Sequence, residues 1–392
     1  MARCCQGAVK LNCPRAGTHY ESETMSVRAV AESESAPEAT PVAVPRPARA
    51  PMSGIPDDKD MLRAAVEHTR DLLIARPAIY WADMLGSALL GYAALATAIL
   101  ADNRLVAAAA GILAALALYR ALLFIHELTH IHTAALPGFR LAWNVLVGIP
   151  MLIPSLMYEN VHTLHHARTR YGTADDPEYL PLALMKPWSL PLFIVVAMLL
   201  PLGLLLRSAV LIPLGAVVPP LRQLVWERAS ALSINPAFRR RPAEGGFRTM
   251  VRWQETGATV WAWFLIATAA VYGWHPLAIG MGVISITAVL NQLRTLVAHL
   301  WENEGEAMTV TAQYLDTVNV PPPGPLAELW APVGLRYHAL HHLLPSMPYH
   351  AYPEAHRRLA AHAAGGVTYA RANYRGMFPL VGKIARSTMK LG

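Results

Sequence analysis

Sixteen histidines are spread over 392 residues, yet eight of them fall into three short patterns. His126-Glu127-Leu128-Thr129-His130 comes first, then His162-Thr163-Leu164-His165-His166, and later His338-Ala339-Leu340-His341-His342. A ninth, His299, ends an apolar run. On a helix, positions i, i+3 and i+4 fall within an arc of about 100°, so each cluster is expected to aim all its imidazoles at one point. Neutral imidazole is the ordinary ligand of iron, copper, zinc or nickel. Eight or nine nitrogens exceed the needs of one ion, so the pattern points to two. Isolated histidines such as His68, His132, His275, His350, His356 and His362 read as surface or interfacial side chains.

The elements that carry these clusters are apolar. Hydrophobic residues make up 54% of the chain and charged residues only 15%, against roughly 25% charged in a typical soluble domain. Mean hydropathy is +0.31. Ile79–Leu100 and Leu105–Ile125 each have the roughly 20 residues needed to cross about 30 Å of hydrocarbon as a helix. They are joined only by residues 101–104, which predicts a hairpin. Gly257–Trp274 and Pro276–Leu293 predict a second one. Leu141–Met157, interrupted by Pro150 and Pro154, reads as re-entrant or interfacial. Trp188–Leu206 could span and Ser208–Val225 could return.

The expected fold is therefore all-α: a polytopic membrane protein of four to six spans in hairpins, with a helical cap holding the histidines. Residues 1–58, rich in Ala, Pro, Glu and Ser, are expected to be disordered, and residues 59–392 form the membrane domain. The first segment has no signal-peptide core, and Met25 or Met52 could be the true start. All three cysteines (Cys4, Cys5, Cys13) lie in it, which excludes a disulfide framework or a Cys-ligated metal in the body. The net charge is +7; the leader carries −1 and the remainder +8. Arg-rich residues 207–252 and the basic C-terminal stretch place the long loops, both termini and the histidine clusters on the cytoplasmic side. A basic, apolar chain suits anionic lipid rather than nucleic acid.

The three histidine patterns in a hydrophobic frame resemble the membrane-bound fatty acid desaturase and hydroxylase superfamily. Tyr171-Gly172-Thr173-Ala174-Asp175-Asp176-Pro177-Glu178-Tyr179 and the stretch His341–His350 resemble its desaturase members in particular. The resemblance covers roughly residues 60–375. It implies a non-haem di-iron centre that uses O2 as co-substrate to remove hydrogen from a fatty acyl or lipid chain. The ligands it implies are His126, His130, His162, His165, His166, His338, His341 and His342, with His299 as the additional histidine after the last span. No catalytic side chain separate from these ligands is implied. Some relatives carry a water-bridging Asn four residues before that histidine, where this chain has Thr295; Asn291 lies one turn earlier. Glu127, Glu159 and Asp176 are candidates to orient ligating imidazoles, as are Asp175 and Glu302. The desaturase-like flanks favour desaturation, with hydroxylation as the alternative.

Other chemistries use some of the same residues. His126-Glu127-x-x-His130 is formally an HExxH zinc metalloprotease motif, which would leave both HxxHH clusters without a role. Glu127-x-x-His130 and Glu159-x-x-His162 are reminiscent of carboxylate-bridged di-iron bundles, although histidine dominates here. Arg168 and Arg170 could meet a lipid head group. Trp188, Trp253, Trp261, Trp263 and Trp274 suit interfacial anchoring. Neither a nucleotide-binding loop nor a fused haem domain is evident, so electrons are expected from a separate redox protein such as ferredoxin or cytochrome b5. An acidic donor would suit the basic cytoplasmic surface.

Overall fold

The computed structural model describes residues 52–389 except 181, 183–184, 325 and 363–365. The expected disorder of residues 1–51 and the three cysteines lie outside the described residues. Residues 52–58, assigned to the same leader from sequence, are folded. Ile55 O accepts from Thr309 Oγ1 (2.7 Å), and Asp58 N donates to Thr311 Oγ1 (2.8 Å). Asp58 also caps α1 (Lys59–Glu67) by accepting from Met61 N, satisfying an orphan donor of the first turn. Polar leader residues are thus held by the start of a helix (Val310–Asp316) far away in sequence, which local composition does not reveal.

A hairpin of α2 (Pro77–Leu100) and α3 (Arg104–Leu122) comes next. Pro77 starts α2, where its missing N–H costs nothing. Asn103 Oδ1 accepts from Leu105 N and Val106 N at the start of α3. The helices approach closely at Gly91, where an added Cβ would lie 2.6 Å from Leu118 Cγ; small residues permit such packing between membrane helices. Beyond Leu123, α4 (Phe124–His130) continues α3 and carries the first histidine pattern.

The stretch read as re-entrant is broken into α5 (Phe139–Trp143), a π-turn over Asn144–Gly148 and a 3-10 turn at Ser155–Met157. The Trp143 indole N–H donates to Ala121 O (2.8 Å), tying it to α3. The second pattern lies on α6 (His162–His165).

α7 (Ser189–Leu206) runs through a π-segment, Arg207–Leu211, into α8 (Ile212–Val217), so no return occurs at Ser208. The buried Arg207 is the reason. Its guanidinium reaches Ala229 O (2.6 Å) and Glu255 Oε1 (3.0 Å), while Arg222 pairs with the other Glu255 oxygen. The turn comes later, at Val218, where α9 (Pro219–Ala229) folds back onto α8.

α10 (Gly245–Tyr272) ends at Gly273, whose φ of +93° suits glycine, and α11 (His275–Ala298) returns against α3 and α7. Beyond it, α12 (Val310–Asp316), α13 (Ala327–Trp330), α14 (His338–Leu343), α15 (Tyr352–Ala361), α16 (Gly366–Ala370) and α17 (Met377–Lys383) form a cap. The third histidine pattern is on α14, whose Leu340 N donates to Asn319 Oδ1 (3.0 Å).

No strand occurs among the described residues, only isolated bridges such as His299–Thr317. Four helices are long and apolar enough to cross a membrane: Pro77–Leu100, Arg104–His130, Ser189–Val217 and His275–Ala298. The most apolar window of Arg104–His130 is 56% buried in the protein, against 22–28% for the others. That helix, which delivers the first histidines, is the one most enclosed.

Candidate metal centre

Four elements converge on one region. α4 brings His126 and His130, α6 and the residue after it bring His162, His165 and His166, the end of α11 brings His299, and α14 brings the last three. α4 is held from below by a cluster in which Tyr80, Phe124, Phe139 and Tyr349 meet edge to face, with ring centroids 5.0–6.1 Å apart. Such contacts fix ring orientation beyond simple burial. The approach to α6 is fixed by Asn144 and Gln254. Ser155 N donates to Asn144 Oδ1 (2.8 Å) and Leu156 N to Gln254 Oε1 (2.7 Å).

The nine histidines sort into two groups. His126, His130, His162, His166 and His341 form one; His165, His299, His338 and His342 form the other. Within each group the nitrogens lie within 4.8 Å of one another. The clusters therefore do not each aim at one point, as the helical arc suggested. In the second, His162 and His166 (i, i+4) turn to one group and His165 to the other. In the third, His338 and His342 turn one way and His341 the other. Two adjacent centres need this divergence, and the roughly 100° per residue of a helix supplies it.

The spacing within the groups tests whether metal ions fit. Nε2 of His166 is 3.0 Å from that of His162 and 2.9 Å from that of His341. Nε2 of His338 is 3.1 Å from that of His299 and 3.2 Å from that of His342. Nitrogens bound cis at roughly 2.1 Å from one ion lie about 3.0 Å apart, whereas tetrahedral ligands would be about 3.4 Å apart. Both nitrogens of His126 and Nε2 of His130 and His165 are buried with no hydrogen-bond partner. Buried polar atoms are normally satisfied, and a cation among them resolves the deficit. The donor set suits two ions of more than tetrahedral coordination.

Outward-facing nitrogens fix the tautomers. His165 Nδ1 donates to Asp176 (2.9 and 3.0 Å) and His162 Nδ1 to Glu178 Oε1 (2.8 Å). His299 Nδ1 donates to the Tyr171 hydroxyl (2.8 Å), which donates to Asp316 Oδ2 (3.0 Å). His341 Nδ1 donates to the Tyr352 hydroxyl (2.9 Å). With Nδ1 protonated, the Nε2 lone pair is left facing inward. Burial, reinforced by neighbouring imidazoles, holds His162, His166, His338, His341 and His342 well below the usual histidine range. They stay neutral, which is the ligating form. Burial also acts to lower His165, but the Asp176 carboxylate outweighs it and the net direction is upward. Burial raises the carboxyls of Glu178 and Asp316 to about 7.

The other candidates fall in different places. Asp176 is buried against His165. Glu127 accepts from the Tyr80 hydroxyl (2.5 Å) and Tyr349 N (3.2 Å), with an oxygen 3.6 Å from His126 Nδ1. Glu159 is turned to Arg140, which also donates to Leu128 O. Asp175 is exposed, and Arg168 pairs with Asp57 on the surface. Glu302 donates its backbone N–H to Asp316 Oδ1 and lies 3.8 Å from Lys383. Asn291 Oδ1 accepts from Arg294 (3.2 Å). Sequence reasoning missed Glu178, Tyr171, Tyr352 and Asp316 as partners of histidines. Glu178 and Tyr171 sit inside the quoted 171–179 stretch, a signal left unassigned residue by residue; nothing local marks Tyr352 or Asp316.

A cavity of about 660 Å³ opens beside the five-histidine group, with His126 and Glu178 in its wall. Its body is formed by Leu, Ile, Phe and Val side chains of α3, α7 and α11, including Phe193, Leu200 and Ile284. The volume is within the roughly 300–1,000 Å³ of ligand pockets.

Residues 103–373, more than two thirds of the chain, match the sequence profile of fatty acid desaturases. The chain belongs to the fatty acid desaturase family. A ceramide hydroxylase of Caulobacter vibrioides (strain NA1000 / CB15N) is 46% identical over 338 residues, covering 86% of this chain and 96% of that protein. The chain is thus a membrane oxidoreductase of a lipid-acting superfamily whose members typically hold two iron ions. This membership displaces the metalloprotease and ferritin-like alternatives. Glu127, bound to Tyr80 and the Tyr349 backbone, is also poorly disposed to act as an HExxH base.

Proposed function

We propose that this chain is a di-iron, O2-dependent lipid hydroxylase acting on a ceramide-class substrate. The observation that carries the choice of reaction is the 46% identity to a ceramide hydroxylase over nearly its whole length. The flanks of the second and third histidine patterns favour desaturation, and that remains the second reading. Both reactions begin by removing hydrogen from an unactivated methylene, which acids and bases alone cannot start. Two irons held by the nine histidines would supply the oxidant from O2, as cofactors do where side chains lack the chemistry.

The protein's own part is positional. Asp176, Glu178, Tyr171 and Tyr352 hold imidazole tautomers, while the walls of the cavity sheath the chain and limit water near His126. Hydroxylation consumes O2, two electrons and two protons, placing one oxygen atom in the C–H bond and releasing the other as water. The electrons are assigned to a separate donor such as ferredoxin or cytochrome b5, and the excess of Lys and Arg in the long loops supports a centre on the cytoplasmic side. Expression in a host that makes ceramide but does not hydroxylate it, followed by lipid mass spectrometry, tests this. A product heavier by one oxygen, lost in His165→Ala, is expected. A product lighter by two hydrogens would select desaturation, and an unchanged lipid profile would overturn both.

A further inference from the structure

One charged side chain in the cavity wall has no counterpart in the histidine centre. Arg294 lies near the end of the membrane helix α11, is only 8% exposed, and has a buried Nε–H without a partner. It forms no ion pair among the described residues. Its other contacts are neutral: Asn291 Oδ1 at 3.2 Å and the Tyr119 hydroxyl. An unpaired cation in a membrane helix is costly and marks function by default. Arg294 shares the cavity wall with His126 and with the Glu178 carboxylate, and its charge acts on both.

Asn291 and Thr295 line the same cavity. They precede His299 at four-residue steps, so one face of α11 runs from the cavity into the metal centre. At 1.5 Å per residue, Thr295 and Asn291 lie about 6 and 12 Å along the axis from His299. A plain hydrocarbon chain gains nothing from this polar patch at the reacting end. An electron-rich oxygen does. The Arg294 guanidinium offers strong charge-assisted bonds, and Thr295 and Asn291 add neutral ones. That set is enough for the two lone pairs of a carbonyl, whereas phosphate would leave oxygens unmet.

Resting on the proposed hydroxylation of a ceramide-class lipid, we propose that Arg294, with Asn291 and Thr295, binds the amide carbonyl of the substrate beside the metal centre. The carbon hydroxylated is then within a few bonds of the amide junction, and the hydrocarbon extends away into the apolar cavity.

Equilibrium binding of labelled ceramide to the purified iron-loaded protein tests this without turnover. The second ligand is an analogue with the carbonyl replaced by methylene, and R294Q and R294K are compared with wild type. R294Q is expected to weaken ceramide binding about tenfold to a hundredfold, the worth of a charged hydrogen bond, with iron content unchanged. The analogue should bind wild type as weakly as R294Q binds ceramide and lose nothing further in R294Q, while R294K recovers part of the loss. Equal losses for both ligands in R294Q, unchanged ceramide affinity, or tighter binding of free fatty acid than of ceramide would each overturn the proposal. Turnover by the wild type reports separately on the parent reading. Hydroxyl groups far from the amide would refute the placement, whereas ceramide that binds but is not hydroxylated would refute the reaction alone.

Discussion

His126 and His130 of the five-nitrogen group hang from a membrane helix, and His126 borders the cavity; none of the four-nitrogen group lines that cavity. The four-nitrogen group is instead backed by carboxylates, His165 directly by Asp176 and His299 through Tyr171 by Asp316. In the five-nitrogen group only His162 has a carboxylate within hydrogen-bond range among the described residues, and His126 has no hydrogen bond on either nitrogen. The contrast teaches a division of labour. One half of the centre borders the cavity and is rich in donors; the other is poorer in donors but braced by carboxylates at His165 and His299, while Nδ1 of His338 and His342 has no partner among the described residues.

Removing a ligand from each half tests this division most severely. His338→Ala leaves three nitrogens in the smaller group, and His130→Ala leaves four in the larger. His338→Ala should therefore lower bound iron from two per chain toward one, with activity reduced beyond the roughly hundredfold that outer partners are worth. His130→Ala should keep more iron and more activity. Metal analysis of both purified variants checks the order, and equal iron loss would erase the distinction.

The carboxylates come next in size. Asp176→Asn removes the charge behind His165 while keeping its shape, and a loss of about 10–100-fold in iron affinity or activity is expected. Glu178→Gln should cost less, because the five-nitrogen group has a donor in reserve. Chelator competition measures both, and a larger effect in Glu178→Gln would reverse the assignment of the carboxylate-braced half.

The sequence made the ligand types and their membrane frame legible, because HxxxH and HxxHH spacings are local and apolar runs of about 20 residues have one main use. It did not reveal how each cluster divides. The arc argument brings His162, His165 and His166 to one side of a helix, but a separation near 100° can equally serve two centres a few ångströms apart. Nor could it reveal Asp316 behind His299, since that link passes through Tyr171, 145 residues away from Asp316. Whether the chain returns after Leu206 stayed open for the same reason. The continuity of Ser189–Val217 depends on Arg207 meeting Glu255 from α10, a long-range pair that local hydropathy ignores.

Smaller effects separate the tyrosines. Tyr171→Phe breaks the His299–Tyr171–Asp316 chain and leaves Asp316 with a buried acceptor less well satisfied. Tyr352→Phe removes the partner of His341 Nδ1 and a long bond to Leu344 O (3.5 Å), with no carboxylate behind it. Iron affinity should fall more in Tyr171→Phe, by about tenfold, than in Tyr352→Phe. The comparison uses the same chelator assay, and equal losses would mean that the carboxylate at the end of the chain adds nothing.

Glu159→Gln should affect the centre least, although Glu159 stands three residues before His162. Its carboxylate is paired with Arg140, and Arg140 also holds Leu128 O at the base of α4. The pair is partly buried, with side chains 23% and 17% exposed, so its loss is felt in stability rather than in imidazole orientation. A decrease of about 1.5–3 kcal/mol, the range for hydrogen bonds to charged groups, is expected. Thermal denaturation in detergent should register it while iron content and chelator resistance stay at wild-type values. If Glu159→Gln instead released iron as readily as Asp176→Asn, proximity in sequence would be the better guide to which carboxylates serve the centre. The contrast between its braced and cavity-side halves would then fail.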